Sequence, residues 1–152
     1  AYTESMAFYT SYRFRKLGLD ELVDYLYSPP DHIVPSNRAS LRKYPAEHYA
    51  LRMTVHKHTP DGETKPNPDI LLSIVSEMES ATDAAVYVGD SLMKDVAMAQ
   101  AAGVDDVLAA YGAAKHRSEY ELLRKVTHWR QEDVEREKAI LANPKVTASK
   151  VM

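Results

Sequence analysis

The stretch AAVYVGDSLMKDVAMAQAAGV, residues 84–104, constrains the fold more than any other part of the chain. An apolar run, AAVYVG at 84–89, ends at Asp90, and an alanine-rich segment, SLMKDVAMAQAAG at 91–103, follows at once and closes on Gly103. A short continuous apolar run of this kind is what the middle of a parallel sheet requires, because both faces are buried there. A glycine just past the last periodic residue is the usual helix stop. A strand that passes directly into a helix therefore predicts an α/β chain.

The flanking segments repeat that alternation. NPDILLSIVSEME (67–79) predicts an amphipathic helix, with Pro68 pre-set for the first turn and Ile70, Leu71, Ile74 and Met78 on one face. SMAFYTSYRFRKLGL predicts a helix over about 5–17, in which Met6, Tyr9, Phe14 and Leu17 fall near helical spacing before Gly18. LVDYLYS (22–28) predicts a strand around 24–28 that Pro29 and Pro30 terminate, and VDDVLAAYG predicts another around 106–110. Between Pro29 and Asn67 the composition shifts to Pro, His, Arg and Ser, which reads as a long insertion, at about 29–64, holding one short helix and one extended piece. Loops of that length in compact domains are usually functional or disordered. The C-terminal part predicts a helix near 117–125, an extended KVTHW, a charged helix in QEDVEREKAIL and a weakly ordered KVTASKVM tail. The fold class expected is an open parallel α/β sheet with helices on both faces.

Bulk properties narrow the function more than they define it. With 152 residues the chain has room for one domain, and 19 basic against 22 acidic residues give a formal charge of −3 without a long basic run. Neither nucleic acid nor a membrane surface is expected as a partner. No apolar run approaches the ~18 residues of a membrane span, and the front carries no basic, apolar, small-residue signal pattern. The absence of cysteine removes disulfides, zinc-thiolate sites and thiol nucleophiles, and is compatible with a reducing cytoplasm.

In open parallel sheets, ligands bind beyond the carboxyl ends of the strands. Gly89, Asp90 and Ser91 occupy that place, and Asp95 is expected to project from the first turn of the following helix. Two carboxylates there suit Mg²⁺, which takes a few carboxylate oxygens and keeps several waters. They equally suit helix capping, since Asp90 or Ser91 can accept orphan N–H groups and Asp95 favours the helix dipole. Lys65, in GETKPNPDILL, leads into the helix before the Asp90 strand. A lysine before a proline is ordinarily a solvated charge, but beside carboxylates it can stabilise an anionic phosphoryl group. Thr3, followed by Glu4 and Ser5, offers a hydroxyl to a phosphate oxygen or, alternatively, a helix N-cap.

Thr3, then Lys65 in KPNPD, then VGDSLMKD together resemble motifs two, three and four of the haloacid dehalogenase-like (HAD) superfamily of hydrolases, in its phosphoglycolate-phosphatase-like branch. The resemblance covers about residues 1–112, and GDS, three residues, D, then a helix to AAGV is its specific part. It implies a Rossmannoid HAD-like fold and a phosphatase acting on a small phosphorylated metabolite. It further implies Asp90 as a Mg²⁺ ligand, Asp95 as a supporting acid, Lys65 pairing with the nucleophile and the phosphoryl group, and Thr3, with Glu4 beside it, at the phosphoryl oxygens.

The departure from the family is motif one, an apolar strand ending in DxDxT or DxDxS, which supplies the nucleophilic aspartate and the acid-base aspartate. The nearest string, PDGET at 60–64, lacks a preceding strand. Since the chain starts AYTES, inside motif two, the expectation is that residues 1–152 are the C-terminal part of a single HAD-like core, with motif one and a cap supplied by an N-terminal segment of the same protein. In the family the motif-one strand lies between the motif-two and motif-four strands. Without it, unpaired ladder groups cost ~1–3 kcal/mol each, and the segment is not expected to fold stably alone. A catalytically inactive HAD-like binding module is the alternative function. In the insertion, His32, His48, His56 and His58 raise a metal reading, with HKH at 56–58 placing both rings on one strand face. A loop leaning over the site and plain surface elaboration are the other readings. Trp129 is read as a packing residue for the tail.

Overall fold

A computed structural model describes residues 1–31, 43–113, 118–120, 122, 131–132, 135, 138 and 146–152. The chain divides into two compact units, Ala1–Thr64 and Lys65–Met152. The helices expected at 117–125 and 131–141, the extended KVTHW with Trp129, and His32 fall wholly or mostly outside the described residues.

In the first unit, α1 (Ala7–Leu17) ends where Gly18 turns left-handed at φ 68°, its N–H returning to the Arg15 and Phe14 carbonyls. The helix lies within the expected span, but its buried face differs. Ala7, Thr10 and Phe14 are inside, whereas Tyr9 and Leu17 are exposed. Thr10 is tolerated there because its hydroxyl donates to the Ser5 and Met6 carbonyls, so no donor is lost on burial. The flank bearing Phe8 and Tyr12 is taken by the insertion: Phe8 stacks on Tyr49 at 4.5 Å, and Tyr12 lies 5.2 Å from Tyr49 and 6.1 Å from Tyr44. The insertion thus packs Tyr44 and Tyr49 on α1, with one 3₁₀ turn at Ala46–His48 between them.

β1 (Tyr25–Ser28) pairs in parallel with β2 (Val55–His58), Tyr25 opposite Val55 and Ser28 opposite His58. Residues 1–3 run along the other side of β1, where Tyr2 bridges Tyr27 in parallel and the Thr3 N–H donates to the Tyr27 carbonyl. One buried carboxylate sets the start of β2. Asp20 accepts the N–H groups of Arg52, Met53 and Thr54 and the Arg15 guanidinium at 3.0 Å, while the Thr54 hydroxyl donates to the Asp20 and Val23 carbonyls. Burial raises the Asp20 carboxyl, but these donors overcome it and hold it far below the usual carboxylate range.

In the second unit, Asn67 caps α2 (Pro68–Glu77) by accepting the Asp69 and Ile70 N–H groups, and Pro68 occupies the first turn. Ile70, Leu71 and Val75 are buried, so the apolar face is close to the expected one. β3 (Val86–Gly89) pairs in parallel with β4 (Asp105–Leu108), and β4 pairs in parallel with β5 (Lys150–Val151). The segment after β3 is not a uniform α-helix. A π-helical turn, Leu92–Val96, precedes α3 (Ala97–Ala101). Met93, Val96, Met98, Ala99, Ala102 and Val104 form the buried apolar cluster around it.

Two expectations change here. The run 84–89 does form a strand, but not a doubly buried central one: among the described residues β3 pairs with β4 only, and Val86 and Val88 remain 60% and 53% exposed. The tail is not weakly ordered over its last residues, because it supplies β5. Asp106, buried at the start of β4, accepts the Ser149 N–H and hydroxyl, both at 2.7 Å, and the Gln100 amide at 3.0 Å. Burial raises the Asp106 carboxyl and these donors lower it further than burial lifts it. A short polar tail offers no apolar periodicity to read, so its pairing depends on one carboxylate in a remote strand. Ser149→Ala removes one charge-assisted bond and is expected to cost about 1.5 kcal/mol, measured by urea unfolding. No described helix is long and apolar enough to cross a membrane.

Candidate functional site

The carboxyl end of β3 in the second unit gathers Lys65, Tyr87, Asp90, Ser91 and Asp95. The π-helical turn opens with Ser91, whose hydroxyl accepts the Lys94 N–H, so Ser91 and not Asp90 is the cap. The extra residue in this turn lets the N–H groups of both Asp95 and Val96 reach the Ser91 carbonyl, which directs the Asp95 side chain back over the strand end. There its Oδ1 takes the Lys65 ammonium at 2.9 Å and the Tyr87 hydroxyl at 3.3 Å, and its Oδ2 takes the Ser91 N–H at 3.1 Å. The ion pair is shielded, with Lys65 and Asp95 side chains 11% and 8% exposed. The Lys65 ammonium also lies 5.4 Å from the centre of the Tyr87 ring. The Lys65–Pro66 peptide is cis.

Asp95 is therefore an organising carboxylate, engaged on both oxygens by an ammonium, a phenol and a backbone amide. Asp90 is different: it is exposed at the strand end and packs beside Gly112, where an added Cβ would come within 2.9 Å of the Asp90 Cβ. Gly89 is required for closeness and not for a special backbone angle. A Cβ at position 89 would overlap the Asp95 Cβ and carboxyl. Because the clash is with the root of the Asp95 side chain, it cannot be relieved by a rotamer. Gly89→Ala is expected to cost about 3 kcal/mol and to separate Lys65 from Asp95, measured by thermal unfolding and by the loss of Lys65 protection from amine reagents.

Thr3 and Glu4 belong to the first unit. Thr3 does not cap α1, whose N-cap position is Met6, with no side-chain cap. Its Oγ1 accepts the Ser5 N–H at 3.1 Å, a local turn that leaves the hydroxyl hydrogen as a donor. Glu4 is half-buried. In the same unit His56 and His58 do share a strand face, with ring centres 5.1 Å apart. Both His56 nitrogens are engaged, however. Ser28 donates its hydroxyl to the Pro29 carbonyl, so it accepts from His56 Nε2–H at 2.8 Å, and Nδ1 accepts from the Ser11 hydroxyl at 3.1 Å. Burial, and then the nearby His58, push the His56 pKa down against the pull of Asp31, keeping the ring neutral. His56 joins α1 to β1, and neither ring nitrogen is left for a metal. Among the described residues no group of three or more His, Asp or Glu side chains is placed to hold a metal ion.

Sequence reading placed Asp90 and Asp95 at one strand end and Lys65 at the entry of the preceding helix, and the structure brings Lys65 to that strand end through Asp95. Tyr87 and Ser91 N–H were missed as partners of Asp95. The alternation of β3, which puts Tyr87 on the face of Gly89, was the available signal.

The second unit is thus a parallel α/β unit that holds a shielded lysine–aspartate pair and an exposed aspartate at the carboxyl end of a strand. The family model described as HAD-hydrolase-like matches residues 63–134. Residues 63–134 are thus similar to the HAD-like hydrolases, the family that VGDSLMKD and KPNPD had implied.

Solved structures similar to the chain include the 2-haloacid dehalogenase of Pseudomonas syringae pv. tomato DC3000, 26% identical over 62% of this chain and 38% of that one, with a TM-score of 0.35. The YfnB protein of Bacillus subtilis, described as a HAD-hydrolase and bound to magnesium, is 19% identical over 71% of this chain and 51% of that one, with a TM-score of 0.36. A Lactobacillus plantarum protein described as a phosphoglycolate phosphatase is 24% identical over 74% of this chain and 63% of that one, with a TM-score of 0.38. The chain matches 38%, 51% and 63% of the lengths of these three proteins. No curated protein matches it.

Proposed function

We propose that this chain is part of a Mg²⁺-dependent phosphomonoester hydrolase of the HAD type, in the phosphoglycolate-phosphatase-like branch, acting on a small phosphorylated metabolite in the cytoplasm. The observation that carries the reading is the shielded Lys65–Asp95 pair at the carboxyl end of β3, with Asp90 exposed at the same strand end.

Asp90 fits a magnesium ligand of the kind that needs one or two carboxylates beside substrate oxygens and waters. Asp95 does not, since both its oxygens are committed to Lys65, Tyr87 and Ser91. Mg²⁺ there would neutralise charge on the phosphoryl oxygens. The chain's own residues supply the rest. Lys65, fixed by Asp95, sets a positive charge against the anionic phosphoryl group. The nucleophilic aspartate, which forms and then yields an aspartyl-phosphate, comes from a preceding segment of the same protein. The exposed Val86 and Val88 on a strand with one described partner favour a further segment packed at β3.

Hydrolysis of a generic aryl phosphate by the full-length protein, with and without Mg²⁺, tests this. Metal-dependent turnover is expected to fall about 10²–10³-fold in both Asp90→Asn and Lys65→Ala. No turnover in a folded full-length protein that lacks an upstream aspartate pair would reject the enzyme in favour of a binding module.

A further inference from the structure

Tyr87 touches both members of the ion pair by different physics. Its hydroxyl donates to Asp95 Oδ1, the oxygen that also takes the Lys65 ammonium, while its ring faces that ammonium at 5.4 Å. Alternation along β3 places Tyr87 and Gly89 on one face, so the ring and the space left by the missing Cβ flank the same carboxylate. A lysine is a point charge on a flexible four-carbon stem, so the direction of its charge depends on the groups that face it. A ring face adds a second, non-collinear attraction.

We propose that Tyr87 is a positioning residue that fixes the direction of the Lys65 ammonium. Its link to phosphoryl transfer rests on the function proposed above; the positioning itself does not. Tyr87→Phe keeps the ring and loses the bond to Asp95, whereas Tyr87→Leu loses both, so the two variants separate the contributions.

The experiment is reductive methylation of the full-length protein followed by mass spectrometry, reading Lys65 against the exposed Lys150 in the same sample. Lys65 labelling relative to Lys150 is expected to rise about tenfold in Tyr87→Leu and about threefold in Tyr87→Phe, as the ammonium is released from a shielded pair. With aryl phosphate, kcat is expected to fall about 10–100-fold in Tyr87→Leu with KM within about twofold, since a small misplacement of a charge aimed at the reacting group acts on the chemical step. A general loosening of the fold would raise labelling at both lysines alike. An unchanged Lys65 to Lys150 ratio in Tyr87→Leu, or in Tyr87→Phe where the leucine variant does not fold, overturns the proposal. A selective rise at Lys65 in a protein without phosphatase turnover keeps the positioning role and rejects the proposed function.

Discussion

Replacing Asp95 by alanine is expected to lower stability by about 3–5 kcal/mol and the melting temperature by about 10 °C. The substitution takes away the counter-charge of an ammonium that is 11% exposed, and at the same stroke the acceptor of the Ser91 N–H and the Tyr87 hydroxyl. A shielded charge deprived of its partner costs far more than a surface pair is worth, because water cannot replace the carboxylate. Asp95→Asn keeps an oxygen for the Ser91 N–H and loses the charge, so about half the cost is expected. Lys65→Met, which removes the charge from the other side and retains the apolar stem, is expected to fall between wild type and Asp95→Ala. Urea unfolding of the three variants checks this order, and equal stability of Asp95→Ala and wild type would show that the pair contributes nothing.

Acid is expected to destabilise the protein in steps that follow three groups. Asp20 and Asp106 have folded-state pKa values below the usual range near 3.9. Between the folded and unfolded values the unfolded chain binds more protons, so the stabilisation is complete above about pH 5 and is lost as pH falls through and below 4. His56 is also lowered, from an ordinary value of 6.5. Its contribution has the same sign, present above the unfolded value and lost as pH falls below about 6.5. Asp20→Asn is expected to remove about 2 kcal/mol at pH 7 and to flatten the stability curve between pH 5 and 3, because the variant has no carboxyl to protonate. Urea midpoints at pH 7, 5, 4 and 3 measure both effects. A variant whose curve stays parallel to wild type would place the acid response elsewhere.

Much of this was legible locally. Pro68 with Asn67 before it, Gly18 and Gly103 after their helices, and the apolar run before Asp90 each act within a few residues, and the elements they predict are present. The buried face of α1 was not legible, because Tyr44 and Tyr49 choose which aromatic flank is covered and both lie in a remote insertion. The pairing of β5 escaped for the same reason, since Asp106 holds Ser149 across 43 residues.

The sequence by itself determined the parallel α/β class, the helix starts and stops, and the residue types at the β3 strand end, since these depend on periodicity, capping and spacing within one segment. Only the tertiary structure decided that Asp95 is the partner of Lys65 while Asp90 stays exposed, that Gly89 serves to admit Asp95, and that His56 is spent on two serines. Those outcomes depend on contacts between residues 28 to 45 positions apart, Lys65 with Asp95 and His56 with Ser28 and Ser11, and on a π-helical turn that rotates one side chain, neither of which a spacing in the sequence encodes.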